Sequence, residues 1–101
     1  DLKPADFVPR LRKLIAHSQA EVRENATAIV AKLGSDAAEL TSELIVALED
    51  EEPIVRENAA IALGQPGLKS ADVIAALQTA SQDEDEVVAA MAKTSIARLS
   101  E

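Results

Sequence analysis

The chain has 101 residues and a formal net charge of −8, which is the size of one ordinary domain. Twenty Ala, four Pro, three Gly and a single aromatic residue favour helices over a β-sheet, and the acidic balance disfavours binding to a phosphate backbone. Without Cys there is no disulfide framework and no thiolate for a metal site or a nucleophile, and no apolar run is long enough to span a bilayer.

Helical patterns alternate with short polar turns along the whole sequence. Apolar residues at helical spacing predict six helices, at about 5–16, 21–33, 37–49, 53–64, 71–81 and 86–99. Gly34 is placed to end the second helix, and Ser35 or Asp36 to cap the third. Ser70 is the predicted N-cap of the fifth helix.

The helical pattern returns every 33 residues. Residues 22–26 read Val-Arg-Glu-Asn-Ala, the same five residues stand at 55–59, and Val88 continues the series. We therefore predict a single repeat domain over 1–101. Its units are about 1–34, 35–67 and 68–101, each with two helices. The chain begins with Asp1 rather than Met, so we expect a piece of a longer protein.

The middle unit carries a recognisable motif. Residues 55–64 read Val-Arg-x-x-Ala-x-x-x-Leu-Gly after an acidic turn and a Leu-rich helix. This motif resembles HEAT repeats, and most closely the short HEAT-like type of the phycobilisome lyases. The resemblance implies an all-α fold, a right-handed α-solenoid of three antiparallel helical hairpins, with the second helices lining the concave side. Unit three departs from the motif, since Ala89 replaces the Arg and Ser100 replaces a Gly.

Two Arg and two Asp residues recur with the repeat. Arg23 and Arg56 follow the starts of the second helices, whereas Asp50 and Asp83 lie in acidic turns between helices. We interpret them as a structural ladder that joins neighbouring hairpins, with Asp50 near Arg23 or Arg56 and Asp83 near Arg56. An Arg pair that grips a ligand is the alternative. The acidic turns themselves suit dipole compensation, or a rim for a basic partner.

Few residues indicate a catalytic or metal-binding site. The only histidine, His17, has no second histidine and no glycine-rich oxyanion turn beside it, so we predict no metal site, no cofactor and no catalytic triad. Asn25 and Asn58 flank the apolar stripe of the second helices. We interpret them as amides that bond a neighbouring turn, with contact to an extended peptide, as in the related armadillo repeats, as the alternative.

The expected function is therefore protein recognition. We predict a non-catalytic interaction or scaffold module that binds through the concave face of the second helices. The candidate partner-binding residues are Glu24, Thr27, Ala31, Glu57, Ala60 and Lys93. An accessory segment of a chromophore (bilin) lyase-like enzyme and a structural spacer are the alternatives. We expect an unidentified protein partner, no nucleic acid, no membrane, and a monomer in isolation.

A middle unit has neighbours on both sides, which predicts a gradient of burial. We expect five apolar residues of unit two to be more buried than their counterparts in the end units: Leu44, Leu48, Val55, Ala59 and Leu63.

Overall fold

The computed structural model describes residues 3–100, and its regular structure in that range is helical, with no strand. The α-helices are α1 (Pro4–Ile15), α2 (Ala20–Lys32), α3 (Thr41–Ala47), α4 (Pro53–Ala62), α5 (Ala71–Ala80) and α6 (Glu86–Leu99). Two 3-10 helices lie between them, Gly34–Leu40 and Pro66–Leu68. The all-α class is thus confirmed.

The third helix differs from its prediction. The chain forms the 3-10 helix Gly34–Leu40 before α3 begins, and no side chain caps it, so the expected cap by Ser35 or Asp36 is wrong. Gly34 ends α2 with a φ of 63°, a left-handed conformation that favours glycine. The 3-10 helix packs against the Pro66–Leu68 turn, where a Cβ added to Gly67 would lie 2.5 Å from Ser35 Oγ. Ser35 is therefore engaged in a tertiary contact.

Both helices of unit three, α5 and α6, begin with a side-chain cap. Ser70 Oγ accepts the Val73 N–H at 3.1 Å at the start of α5, as predicted. Asp85 Oδ1 accepts the N–H groups of Val87 and Val88 at 3.0 and 3.1 Å and so caps α6. These caps fix where the two helices of unit three enter the stack.

The six helices form two layers. Within each unit the first helix packs on the second, and between units α2 packs on α4 and α4 packs on α6. The first helices α1, α3 and α5 contact one another less than the second helices do. A small residue permits one of these close approaches: a Cβ added to Gly64, just after the end of α4, would lie 2.5 Å from Ser95 Oγ on α6.

One continuous core runs through all units. Its largest fully buried side chains include Leu40, Leu44, Leu63, Leu77 and Leu99. The predicted gradient of burial is only partly right, because Leu44 is more buried than Leu11 but equal to Leu77, and Leu48 is slightly more exposed than Ile15. Side chains that lie between the two helices of one unit are buried by those two helices, whether the unit is in the middle or at an end of the stack.

Candidate binding surfaces and the charged ladder

Two Arg–Asp pairs join neighbouring units with nearly the same geometry. Arg23 Nε and Nη2 donate to Asp50 Oδ2 and Oδ1 at 2.8 and 3.2 Å. Arg56 Nε and Nη2 donate to Asp83 Oδ2 and Oδ1 at 2.9 and 3.2 Å. All four side chains are largely buried. Such two-point contacts fix direction as well as distance.

Each guanidinium also binds the turn of its own unit. Arg23 Nη1 donates to the carbonyl groups of His17 and Ser18 at 2.9 and 3.0 Å. Arg56 Nη1 donates to the carbonyl of Asp50 at 2.7 Å. Asp50 is therefore an ion-pair partner of Arg23 and a backbone acceptor for Arg56. One Arg thus ties the turn of its own unit to the turn of the next.

Besides the Arg, each Asp carboxylate accepts a hydrogen bond from a backbone N–H of its own turn. Asp50 Oδ1 accepts the Glu52 N–H at 2.9 Å, and Asp83 Oδ1 accepts the Asp85 N–H at 2.8 Å. Burial alone would raise the pKa of Asp83, but the Asp85 N–H and the Arg56 guanidinium outweigh it and hold the pKa below its usual value. The hydrogen bond to Asp50 is the main reason that the pKa of Arg23 is raised. Arg23 and Asp83 therefore stay charged near neutral pH.

The ladder has two rungs within residues 3–100. In unit one His17 occupies the position of Asp50 and Asp83, and in unit three Ala89 occupies the position of Arg23 and Arg56. Both Arg residues consequently have Asp partners in the next unit. A ligand that required two free guanidinium groups would have to break these pairs.

The two Asn residues have different surroundings. Asn58 Nδ2 on α4 donates to the carbonyl of Glu24 and to Thr27 Oγ1, both at 3.2 Å on α2. Asn25 holds the same position on α2 and is exposed. The Asn58 amide therefore links the second helices of units one and two.

Two of the six candidate partner-binding residues are not on the surface. Thr27 and Ala60 are fully buried, so their assignment to a binding face is wrong. Both lie between second helices: Thr27 meets Asn58, and the Ala60 carbonyl accepts the Ser95 hydroxyl at 2.6 Å. The four others are accessible to different extents. Glu24, Ala31 and Glu57 are half-buried and Lys93 is exposed.

The sequence interpretation missed two apolar residues on the second helices. Ile54 and Val87 occupy the same repeat position near the starts of α4 and α6, and they are 51% and 49% exposed. A signal for them exists in the sequence, because both lie about 100° from the buried stripe that contains Val55 and Val88. They are exposed apolar residues at matching positions on helices that pack together.

Two equivalent open grooves lie on the side of the first helices. The groove that α3 and α5 line has a volume of about 650 Å³ and ends at Arg56 and Asp83. The groove that α1 and α3 line has a volume of about 700 Å³, and its lining includes Val46, which is 71% exposed. Glu43 also lines it, with Oε2 at 3.2 Å from Arg12 Nε. The grooves combine an apolar floor with acidic edges.

The described residues contain no group of three or more His, Cys, Asp or Glu that could hold a metal ion. No helix in the same part of the chain is long and apolar enough to cross a membrane.

Comparison with known proteins identifies the repeat. A search of curated proteins finds no match for the chain. A family model described as HEAT repeats matches residues 41–101, which is more than half of the chain. The match covers all of unit three and most of unit two. The match identifies the family as a whole and not the phycobilisome-lyase type. The chain therefore belongs to the HEAT repeat family.

Proposed function

We propose that this chain is a non-catalytic protein-interaction module that binds its partner through the exposed face of α2, α4 and α6. HEAT repeats are commonly protein-interaction scaffolds, and the family is generally non-catalytic. We further propose that the three units are antiparallel hairpins of a right-handed solenoid with the second helices on its concave side. The closer packing of the second helices, compared with the first helices, supports a curvature of this sense.

The exposure of Ile54 and Val87 is the observation that carries the proposal. Each side chain is about half exposed, and each lies at the same position on adjacent packed helices. Packed helix axes are about 8–10 Å apart, close to the rise over two turns of a helix, about 11 Å. Two apolar side chains at i and i+7 of a partner helix match this spacing. Neighbouring exposed apolar side chains are typical of interaction sites.

Charge adds direction to this contact. Glu57 lies about one turn after Ile54 on α4, and the same repeat position is Glu24 on α2 and Ala90 on α6. The proposed face is therefore acidic in units one and two and uncharged at the matching position of unit three. A partner with basic groups at one end would be oriented along the stack. The contact is small and shallow, so we expect modest affinity.

The test is affinity capture with matched variants. The wild-type chain, Ile54→Glu/Val87→Glu and Val46→Glu are immobilised and exposed to a lysate of the source cells, and bound proteins are quantified by mass spectrometry. Val46→Glu is the control, because Val46 is exposed on the first-helix side. We expect a protein that wild type and control retain and the double variant loses by about 10-fold. Equal retention by all three would contradict the proposed face, and loss by Val46→Glu alone would favour the groove.

A further inference from the structure

The groove between α3 and α5 has apolar residues where the groove between α1 and α3 has an ion pair. In the latter, Arg12 Nε lies 3.2 Å from Glu43 Oε2, and Arg12 Nη2 donates to the carbonyl of Glu39 at 2.8 Å. One repeat of 33 residues later, the positions of Arg12 and Glu43 are occupied by Ile45 and Ala76. The charged bridge between the first helices of units one and two is therefore replaced by apolar side chains between units two and three.

These apolar side chains are the floor of what we call the α3–α5 groove. Ile45 and Ala76 are half-buried and line the groove, whose volume is about 650 Å³. The buried Leu48 and Ala80 complete the floor. Units two and three flank the groove on its two sides, so it lies inside the stack and not at one of its ends.

The unpaired charges at the α3–α5 groove are acidic. Glu49 follows the end of α3 and Glu84 follows the end of α5, and both are exposed at the edge of the groove. Within residues 3–100 neither carboxylate forms an ion pair. Arg56, which also lines the groove, is held by the Asp83 carboxylate and the Asp50 carbonyl. The C-terminal ends of the two helices add negative potential at the same edge.

An occupant that matches this groove combines an apolar group with a cation. Ile45 and Glu49 are four residues apart, which is about one helical turn and about 6 Å along a helix axis. An apolar residue and an Arg or Lys at positions i and i+4 of a partner helix have the same spacing. The net charge of −8 attracts a basic segment and repels a second copy of this acidic chain.

We propose that the α3–α5 groove is a second docking surface, which takes a basic amphipathic helix of a partner protein. The apolar side chain of that helix covers Ile45 and Ala76, and its cation lies beside Glu49 and Glu84. The groove is on the side of the first helices, so it does not depend on the proposed face of α2, α4 and α6. A chain with both surfaces links two protein segments. The contact area on two short helices is small, which is typical of weak, transient interfaces.

A nuclear magnetic resonance titration of the ¹⁵N-labelled chain with a synthetic peptide tests the groove. The probe is an Ala-rich helical peptide with Leu and Arg four residues apart, and two matched peptides carry Ala in place of Leu or Glu in place of Arg. We expect shift changes at Ile45, Ala76 and Thr79, and binding at least about 5-fold tighter than that of either matched peptide. No binding of the probe up to about 1 mM, or shift changes only elsewhere in the chain, would overturn the proposal. Groove shifts that depend on the concentration of the chain alone would assign the groove to a second copy and would also overturn it.

One pair of substitutions fills the groove without changing the net charge. Ile45→Arg/Ala76→Glu introduces the residues of the Arg12–Glu43 pair at the matching positions, and we expect the probe to bind at least about 10-fold more weakly. Far-ultraviolet circular dichroism and the urea midpoint check that the variant is folded. Full binding by the folded variant would contradict docking in the groove.

Removal of exposed charge gives a second test that leaves the apolar floor intact. We expect Glu49→Gln/Glu84→Gln to bind the probe about 3- to 10-fold more weakly. The control, Glu21→Gln/Asp36→Asn, removes the same charge at exposed positions outside the groove, and we expect a change below about 2-fold because salt screens distant charges. Equal weakening by the two variants would reveal only a general attraction to an acidic chain and would overturn the proposal.

The two proposed surfaces are separable by experiment. Ile54→Glu/Val87→Glu changes the second-helix face, and we expect it to bind the probe within about 2-fold of wild type. A loss of probe binding in that variant would contradict the assignment to the α3–α5 groove. Failure to find a partner for the second-helix face would leave the titration result unaffected.

Discussion

The guanidinium of Arg56 forms a two-point contact with the carboxylate of Asp83, 27 residues further along the chain, and Arg23 holds Asp50 at the same separation. Each Arg also binds a carbonyl in the turn of its own unit. The same atoms therefore set the position of one unit on the next at both boundaries. We infer a structural role for these charges, since every nitrogen of both guanidinium groups donates a hydrogen bond within the stack.

The Arg56–Asp83 pair is expected to stabilise the fold measurably. We expect a coupling energy of about 1–3 kcal/mol, because the hydrogen bonds are charged and largely shielded from water. Urea unfolding of Arg56→Ala, Asp83→Ala and the double variant measures it. Ala89→Arg is the control, since it adds an Arg without an Asp in a following unit. A coupling near zero would show that the pair contributes nothing to stability.

Acid is expected to weaken this pair. The folded-state pKa of Asp83 is lowered, so the unfolded state binds the proton more readily and protonation favours unfolding. The contribution of Asp83 is fully present above about pH 4 and is lost as the pH falls through its folded-state pKa. The difference in unfolding free energy between wild type and Asp83→Asn should therefore shrink from about pH 5 to about pH 2. A constant difference would contradict this assignment.

Asn58 and Asn25 form a natural matched pair. Asn58→Ala removes the hydrogen bonds to Glu24 and Thr27, and we expect a loss of about 1 kcal/mol in unfolding free energy. Asn25→Ala changes an exposed side chain at the same repeat position, and we expect less than about 0.5 kcal/mol. Chemical denaturation in dilute solution provides both values. Equal losses would contradict the link between α2 and α4.

Gly64 is expected to tolerate no side chain. A Cβ there would lie 2.5 Å from Ser95 Oγ, 2.8 Å from Ser95 Cβ and 3.2 Å from Ser95 Cα, so α4 and α6 would have to separate. We expect Gly64→Ala to cost about 1–3 kcal/mol in unfolding free energy. Adding Ser95→Gly should recover part of the loss, because it removes the nearest side-chain atoms. An Ala variant as stable as wild type would show that the helices can move apart freely.

The sequence predicted the helices and the repeat well, because their signals are local. The period of 33 residues placed Val22, Val55 and Val88 in register without knowledge of the stack. The sequence predicts Ser35 as a helix cap, but in the fold Ser35 lies against Gly67. That contact joins residues far apart in the sequence, so no local pattern predicts it. The predicted N-cap of α5 by Ser70 depends only on nearby residues, and it is confirmed.

The surface was harder to predict than the fold. A helical wheel separates the buried stripe from other positions, but it does not show which of them a neighbouring unit covers. Thr27 was therefore assigned to a binding face that α4 in fact occupies. Ile54 and Val87 were missed for the converse reason, because apolar residues beside a core stripe are usually assumed to be buried.

The affinity of the isolated chain for its purified partner tests the proposed function most directly. Once affinity capture has identified that partner, calorimetric titration gives the dissociation constant for wild type, Ile54→Glu/Val87→Glu and Val46→Glu. We expect the double variant to bind at least about 10-fold more weakly, because charges replace the apolar pair on α4 and α6, and the control to bind within about 2-fold of wild type. Unchanged affinity in the double variant would contradict recognition through the second helices.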